Sequence, residues 1–257
     1  KKMLPAGLIK DLECIPELQI FDMPSDRQSF SRDFYDYSPI LRTQLEGCCA
    51  DLVVRPSSVE SVVLVAGKCA EYGIPLTLRG SGTGNYGQSV PLLGGVVMLM
   101  SALCEIRHFN STNGQVTVEA GCLLADLNKQ LLSHGRQLRL LPSTWRSASI
   151  GGFLAGGSGG IGSVRWGFLR DPGHLLGLEV VTVEKKPRKL QLDASSSEAL
   201  NHAYGTNGII TAMTLATTNA VGWQEVSIDC DDWSQAVQLL ISCSCVALEM
   251  HLCSLLE

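Results

Sequence analysis

The spacing of apolar residues predicts a strand–helix–strand unit over about residues 50–105. Leu52–Val54 is a short apolar run typical of a buried strand. Ser57 and Glu60 have the spacing of a capping box, which predicts the start of a helix, and Gly73 is suited to its C-terminal end. In that helix, apolar residues recur at helical intervals at Val59, Val62, Val63, Ala66 and Ala70.

Two further strands, Leu76–Leu78 and Val96–Met100, enclose a glycine-rich segment. Its glycines satisfy the pattern G-x-G-x-x-G at Gly82, Gly84 and Gly87. The dinucleotide-binding form of this pattern requires a helix at the last glycine, but a proline and two glycines interrupt the residues that follow. The segment therefore predicts a hairpin loop that binds a diphosphate through successive backbone N–H groups.

The pattern after residue 105 predicts a second unit with a mostly antiparallel sheet, so the fold class is α+β. Helices are predicted at Cys122–His134 and Ser197–Tyr204. Residues 149–162 are mainly glycine and alanine, and their pattern predicts no element. Extended segments are predicted at Gln115–Ala120, Leu138–Leu141, Leu175–Glu184, Lys189–Leu192 and Gly208–Thr217.

The end of the chain predicts the opening of another domain. A strand over Glu225–Cys230, a helix from Asp232 to Ser242 and an apolar segment at Val246–Leu256 are too few elements to close a core. We therefore expect four parts: an N-terminal lead-in at 1–44, two subdomains at 45–105 and 106–220, and an incomplete domain at 221–257.

Composition and charge narrow the classes of function. The net charge of −5 and the lack of a basic, aromatic stripe argue against nucleic-acid binding. No apolar run reaches the ~18–20 residues that a membrane span needs. The first ten residues lack the apolar core of a signal peptide, so we expect a cytoplasmic protein.

Ten cysteines raise the question of disulfides or a metal site. No C-x-x-C pattern occurs and no histidine cluster has zinc spacing, so we predict no metal site. Scattered cysteines in a protein that is not secreted are expected to be small buried apolar residues for the most part.

Several segments together resemble the FAD-binding domain of the vanillyl-alcohol oxidase, or PCMH-type, flavoproteins, which are FAD-linked oxidases such as the flavoprotein component of glycolate oxidase. The resemblance covers about residues 45–218. It implies two α/β subdomains, one with a small three-stranded sheet and helices, the other with a larger antiparallel sheet, followed by the start of a cap domain. The matching segments are VVRPSSVESVV, RGSGTGN, VTVEAG, PSTWRSASIGG, GLEVVT and YGTNGIIT.

The resemblance also implies which residues bind FAD. The hairpin amides would face the pyrophosphate, and Pro56 would border the adenine. Arg79 is either a phosphate partner or an arginine that is exposed or paired with a carboxylate. Ile209 and Ile210, with Gly208, would place backbone groups beside the cofactor. The residues at the pyrophosphate would be Gly80, Ser81, Gly82, Thr83, Gly84 and Asn85, and those along the ribityl chain and flavin edge would be Pro142, Ser143, Thr144, Ser149, Gly151 and Gly152.

The five histidines are interpreted as structural. Some relatives attach FAD covalently through a histidine of the pyrophosphate loop, and residues 80–87 contain none, so we predict non-covalent FAD. His174 and His202 lie near matching segments, and we expect both to be structural. No catalytic residue can be named, because the cap domain supplies such residues in this family.

The predicted function is hydride transfer from a small substrate, such as the 2-hydroxy acids glycolate or D-lactate, to the flavin N5. Three alternatives remain: a non-catalytic flavin-binding or scaffold subunit among other oxidase subunits, an NADPH- and FAD-dependent enzyme like the enolpyruvyl-sugar reductases, and a nicotinamide-binding enzyme that uses Gly82–Gly87. The last requires a helix after Gly87, which the sequence does not favour.

Overall fold

The chain folds around two β-sheets with separate but touching cores. The computed structural model describes residues 4–34, 36–246, 250 and 253–255. The smaller sheet and its helices come from residues before 100, and the larger sheet from residues after 105. Val181 and Ile209 of the larger sheet belong to the core of the smaller one, so the two units pack against each other.

The smaller sheet contains four strands in the order β1-β2-β4-β3. Strands β2 and β3 run parallel to β4, and β1 pairs antiparallel with β2. The prediction of three strands in this sheet is therefore wrong, because the lead-in contributes a fourth strand, β1. The strands are β1 (Leu18–Phe21), β2 (Leu52–Pro56), β3 (Leu76–Arg79) and β4 (Val96–Leu99).

Helix α4 (Val59–Tyr72) covers this sheet, and α1 (Ala6–Glu13) packs against α4 with Leu8 and Leu12 fully buried. The predicted capping box is displaced by one residue. Ser58 caps α4 together with Ser61, since the backbone and hydroxyl of Ser57 both donate to the carbonyl of Glu17. Two short helices lie between β1 and β2, namely α2 (Pro24–Ser29) and α3 (Pro39–Leu45).

The larger sheet is fully antiparallel, in the order β5-β6-β10-β8-β9. Helix α5 (Leu124–Ser133) buries Leu124, Leu127 and Leu131 in the core of this sheet. A two-stranded ribbon pairs β7 (Arg136–Gln137) with β11 (Thr218–Asn219). The sheet strands are β5 (Ile106–Asn110), β6 (Gln115–Glu119), β8 (Leu175–Val181), β9 (Lys189–Asp193) and β10 (Ile209–Ala216).

The glycine-rich middle of the chain contains an element that its pattern does not predict. Helix α6 (Ile150–Gly156) buries Ile150, Phe153 and Leu154 and ends at Gly157 in a left-handed conformation. It is followed by α7 (Ser163–Trp166). The predicted helix at 197–204 is a shorter 3-10 helix, Ser196–Leu200.

The C-terminal part differs from the rest, because no described residue from 221 to 246 is buried. The predicted strand at 225–230 is wrong: these residues pair with no strand, and all but the half-buried Cys230 are exposed. The predicted helix is confirmed as α8 (Trp233–Cys245), with Asp232 accepting a hydrogen bond from the Gln235 amide at 2.9 Å. Most of the apolar segment at 246–256 lies outside the described residues.

The cysteines are less buried than expected. All ten are free thiols, and only Cys69 and Cys122 are buried, so the expectation that most would be core residues is wrong. Burial raises the pKa of Cys69 to about 12 and the pKa of Cys122 to about 11. Within the described residues, no helix has the length and apolar character needed to cross a membrane.

Candidate functional site

A cavity of about 880 Å³ opens at the end of β3, between the glycine hairpin, α6 and the turn that precedes β10. Its volume lies in the upper part of the ~300–1,000 Å³ range of ligand sites. Glycines supply much of its surface, so that backbone faces the cavity. The site is therefore built to admit a large ligand close to the main chain.

The structure brings most of the predicted cofactor residues to this one surface. Pro56 and Ile209 do not line it: Pro56 is buried opposite Leu18 of β1, and Ile209 is fully buried in the core. Arg79 lies behind the hairpin, outside the lining. The predicted residues on the surface are Gly80, Ser81, Gly82, Thr83, Gly84, Asn85, Pro142, Ser143, Thr144, Ser149, Gly151, Gly152, Gly208 and Ile210.

We call residues 80–89 the hairpin wall. No backbone N–H from Gly80 to Asn85 donates to an acceptor within the described residues. Polar backbone groups are rarely left without a partner, so six successive amides on a cavity surface indicate an anionic ligand. As predicted, no helix follows the hairpin.

Hydrogen bonds from the N-terminal lead-in hold this wall in place. The Asp33 carboxylate accepts the Gly87 N–H at 2.8 Å and also the Ser89 hydroxyl. Ser89 Oγ in turn accepts Nη1 of Arg79 at 3.1 Å. Burial lowers the pKa of Arg79 and the charge of Asp33 opposes this, so the guanidinium is a buried cation linked to a carboxylate.

We call α6 with the turn at 202–205 the helix wall. Ser149 caps α6 by accepting the Gly152 N–H at 3.3 Å. The Gly151 N–H donates to the Ala120 carbonyl at 2.8 Å, and a Cβ on Gly151 would lie 2.7 Å from the Ala120 Cβ. The helix therefore lies directly on the end of β6. A Cβ on Gly80 would overlap Ser149 Oγ, so the two walls touch here without room for a methyl group.

The 202–205 turn contains two non-glycine residues with left-handed backbone. His202 has φ 56° and Tyr204 has φ 50°. Their side chains are joined by a 2.8 Å hydrogen bond between His202 Nε2 and Tyr204 Oη. Their amides donate to the carbonyls of Leu154 and Ala155 at the end of α6. Such conformations cost free energy and persist where the surroundings impose them, often at functional sites.

His174 has the structural role that its sequence context predicts. It is 5% exposed, and its Nε2 lies 2.8 Å from the Trp166 carbonyl. His202 differs, because it is exposed and lines the cavity.

The sequence did not single out several lining residues. Ala120, Tyr204 and Gly205 stand inside segments that carried the resemblance, and that signal could have included them. Asp33 and Asp36 had no such signal, since only the tertiary fold brings them to the cavity, whereas His202 lies near a matching segment and was expected to be structural. The other unpredicted lining residues are Leu78, Tyr86, Gln88, Ser89, Met100, Ala148, Phe153, Ala155, Gly156, Gly157, Ser158, Gly159 and Gly160.

The donor set fits a dinucleotide rather than a metal. Unpaired amides and small residues line the cavity, and no group of three or more metal-ligating side chains is found in the part of the chain that the structure describes. Two acidic residues, Asp33 and Asp36, also line the cavity. The anionic part of a ligand would thus be held by backbone dipoles rather than by lining cations.

Comparison with known proteins agrees with this geometry. A sequence model described as "FAD binding domain" matches residues 50–187, more than half of the chain. The chain is 28% identical over 175 residues to glycolate oxidase subunit GlcD of Bacillus subtilis (strain 168), covering 66% of this chain and 37% of that protein. It is 26% identical over 239 residues to the mitochondrial D-2-hydroxyglutarate dehydrogenase of Rattus norvegicus, covering 90% and 43%.

A further relative is the probable mitochondrial D-lactate dehydrogenase of Danio rerio, 32% identical over 175 residues, covering 64% of this chain and 34% of that protein. Among solved structures, an alkyldihydroxyacetonephosphate synthase superposes with a TM-score of 0.72 at 20% identity, covering 86% of this chain and 42% of that one. The chain thus spans about two fifths of these proteins. The fold, the cavity and the matched sequence agree that the chain belongs to the FAD binding domain family of PCMH-type flavoproteins, whose cofactor is FAD.

Proposed function

We propose that this chain is the FAD-binding part of a flavin-dependent oxidoreductase that oxidises a small 2-hydroxy acid such as glycolate or D-lactate. The observation that carries the proposal is the row of unpaired amides from Gly80 to Asn85 on the wall of a cavity large enough for a dinucleotide. The substrate class rests on the names of the relatives, which include a component of glycolate oxidase and dehydrogenases of D-2-hydroxyglutarate and D-lactate.

In this proposal the hairpin wall binds the diphosphate. Successive N–H dipoles stabilise its charge, and the side chains of Thr83 and Asn85 add donors. Gly82 and Gly87 have left-handed backbone, with φ of 68° and 81°, which lets the intervening amides turn toward the cavity. The buried cation of Arg79 lies behind Gly82 and adds a longer-range attraction.

The helix wall holds the ribityl chain and the flavin edge. Pro142, Ser143, Thr144 and Ser149 line this side, and the absence of side chains at Gly151 and Gly152 leaves room for a planar ring. The bound flavin supplies the two-electron acceptor, while the protein binds and orients it. Attachment is non-covalent in this proposal, because residues 80–87 carry no histidine or cysteine.

Residues 221–257 begin the domain that covers the substrate. The supporting observation is the exposure of apolar residues among those described from 221 to 246: Val226 is 73% exposed, Ile228 59% and Trp233 57%. Apolar residues this exposed are expected to be buried by further structure. We expect that structure to contribute the residues that accept the substrate proton.

The first test is the visible spectrum of the purified 257-residue chain, followed by titration with FAD and release of flavin by acid. We expect a yellow protein, or an apoprotein that binds FAD at micromolar or lower Kd, and free flavin after precipitation with acid. A colourless chain that binds no added FAD would contradict the proposal, and flavin retained after precipitation would contradict non-covalent binding.

The second test concerns the reaction and uses a chain extended beyond Glu257. We expect glycolate, D-lactate or D-2-hydroxyglutarate to bleach the flavin absorbance anaerobically, and L-lactate and L-2-hydroxyglutarate to do so at least about tenfold more slowly than their D-enantiomers. Bound FAD that no 2-hydroxy acid reduces would indicate the scaffold subunit instead. Reduction by NADPH alone would indicate chemistry like that of the enolpyruvyl-sugar reductases.

A further inference from the structure

The lead-in before β2 lines the cavity at Asp33 and bonds to the hairpin through Asp33 and Phe34. We call Asp33, Phe34 and Tyr37, whose hydroxyl accepts the Asp33 N–H, the N-terminal clasp. These residues precede the sequence that matches the FAD binding domain family, which begins at residue 50. We propose that the clasp belongs to the cofactor site, with Asp33 as a positioning residue that holds the hairpin amides in the geometry that binds a diphosphate. This inference rests on the proposed binding of FAD.

The clasp contacts both ends of the hairpin. At one end the Phe34 N–H donates to the Gly82 carbonyl at 2.7 Å. At the other end the Gly87 N–H donates to the Asp33 carboxylate at 2.8 Å. Gly82 and Gly87 are the hairpin glycines with left-handed backbone. The clasp therefore fixes the points at which the loop changes direction.

Asp33 is itself held in place. It is only 9% exposed, and its own N–H donates to Tyr37 Oη at 2.8 Å. Its second carboxylate oxygen accepts the Ser89 hydroxyl, and Ser89 accepts Arg79 Nη1. A carboxylate, a hydroxyl and a buried guanidinium thus form one connected chain behind the loop. Hydrogen bonds to ionised groups are about twice as strong as neutral ones.

The negative charge of Asp33 allows its effect on the loop to be distinguished from a direct attraction for the diphosphate. A carboxylate in the wall of a diphosphate site repels the ligand, so its direct electrostatic effect on FAD affinity is unfavourable. If Asp33 nevertheless promotes binding, it does so by ordering the loop before the ligand arrives, which lowers the entropy lost on binding. Asp36 provides the matched comparison. It lines the same cavity, but its side chain is 95% exposed and its ion pair with Arg42 is 3.8 Å long.

The test measures the Kd of FAD and of ADP, by flavin fluorescence and calorimetry, for the 257-residue chain and its variants. We expect Asp33→Asn to raise both values about tenfold, equivalent to about 1.4 kcal/mol. Asp36→Asn should change them by no more than about twofold, or lower them slightly. Circular dichroism and the thermal midpoint check that each variant is folded.

Ser89→Ala gives a second variant that keeps the carboxylate and breaks the connection to Arg79. We expect it to raise the Kd of FAD about fivefold. Because both residues act through one chain of hydrogen bonds, the double variant should raise the Kd of FAD only about tenfold to fifteenfold. Independent effects would multiply and raise it roughly fiftyfold. A general loss of stability would give additive effects.

The possible results are distinct. If the wild-type chain binds FAD and Asp33→Asn binds it equally well, the clasp has no positioning role and the proposed function stands. Tighter binding in both aspartate variants would show that repulsion dominates, and additive losses would show that Ser89 and Asp33 act separately; each overturns the inference. A wild-type chain that binds no FAD overturns both proposals.

Discussion

The hairpin wall and the helix wall expose backbone to the same cavity by different means. On the hairpin wall, left-handed positions are occupied by Gly82 and Gly87, for which this conformation costs little. On the helix wall, two left-handed positions at the turn are occupied by His202 and Tyr204, whose side chains make the same conformation strained.

The difference also extends to hydrogen bonding. The amides of the hairpin wall from residue 80 to 85 have no acceptor within the described part of the chain, whereas those of His202 and Tyr204 are bonded to α6. One wall is thus free to bind an anion through its main chain. The other presents the side chains of His202 and Tyr204 from residues whose amides are already bonded. We infer that the hairpin wall determines affinity for the diphosphate and that the helix wall determines what lies against the rest of the cofactor.

The largest effect is expected where the walls meet. Gly80→Ala places a methyl group on Ser149 Oγ and 3.7 Å from the Gly152 backbone, so the walls must separate or the α6 cap must break. We expect the Kd of FAD to rise at least about thirtyfold and the free energy of unfolding to fall by about 1–3 kcal/mol. Titration with FAD and urea unfolding measure the two quantities.

Gly156→Ala is the matched control for this substitution. Gly156 also lines the cavity, but a Cβ there would meet nothing within 4 Å. Stability should stay the same or rise by up to about 1 kcal/mol, because alanine favours a helix more than glycine does. Equal losses in the two variants would mean that any side chain on this surface is harmful, and that the contact between the walls has no special role.

A smaller effect is expected from the strain of the helix wall. His202→Gly and His202→Ala both remove the hydrogen bond to Tyr204. The difference between their free energies of unfolding therefore reports the cost of the left-handed backbone at this position. We expect the glycine variant to be more stable by about 1 kcal/mol, which reverses the usual order of alanine and glycine. Urea unfolding of both variants measures it, and an alanine variant of equal or greater stability would show that this position carries no strain.

The smallest effect concerns the buried thiols. The Cys122 carbonyl accepts the Ile150 N–H at the start of α6, whereas Cys69 lies in α4. With a pKa of about 11, Cys122 is a neutral thiol at pH 8, and its thiolate fraction rises about tenfold per pH unit up to that value. Iodoacetamide should therefore label Cys122 slowly at pH 8 and about tenfold faster at pH 9.

Bound FAD should slow the labelling of Cys122 a further few-fold by closing the helix wall, and leave Cys69 unchanged. Mass spectrometry of labelled peptides, with and without FAD at pH 8 and pH 9, measures both rates. Equal protection of the two thiols would indicate a general gain in stability instead of closure of one wall.

The sequence predicts the elements that carry their own periodic signal. Helix α4 has regularly spaced valines and alanines, and the pairing of β8 with β9 follows from two apolar runs around a turn. Strand β1 lacks such a signal, since all of its residues are at least partly exposed. Helix α6 is short and rich in glycine, so intrinsic propensity opposes it and only the packing of Ile150, Phe153 and Leu154 reveals it.

The residues of the site likewise divide into those that the sequence predicts and those that it does not. The glycine segments can be read from the sequence because each forms a local cluster. Asp33 cannot be found in this way, because its partners Gly87 and Ser89 are 54 and 56 residues away. Pro56 and Ile209 show the opposite case: both belong to segments that carried the resemblance, yet their side chains are buried away from the cavity.

The position of β10 has a consequence for how the protein is made. The last strand of the larger sheet in chain order lies at its centre, and Thr214 of β10 bonds to Thr117 of β6 across 97 residues. During synthesis β6 and β8 must therefore wait with unpaired edges until residues 209–216 leave the ribosome. Such distant pairings form slowly, and exposed edges favour aggregation. We expect cofactor loading to follow the emergence of β10, since Gly208 and Ile210 complete the cavity, and interruption of translation before that strand to yield chains that require chaperones.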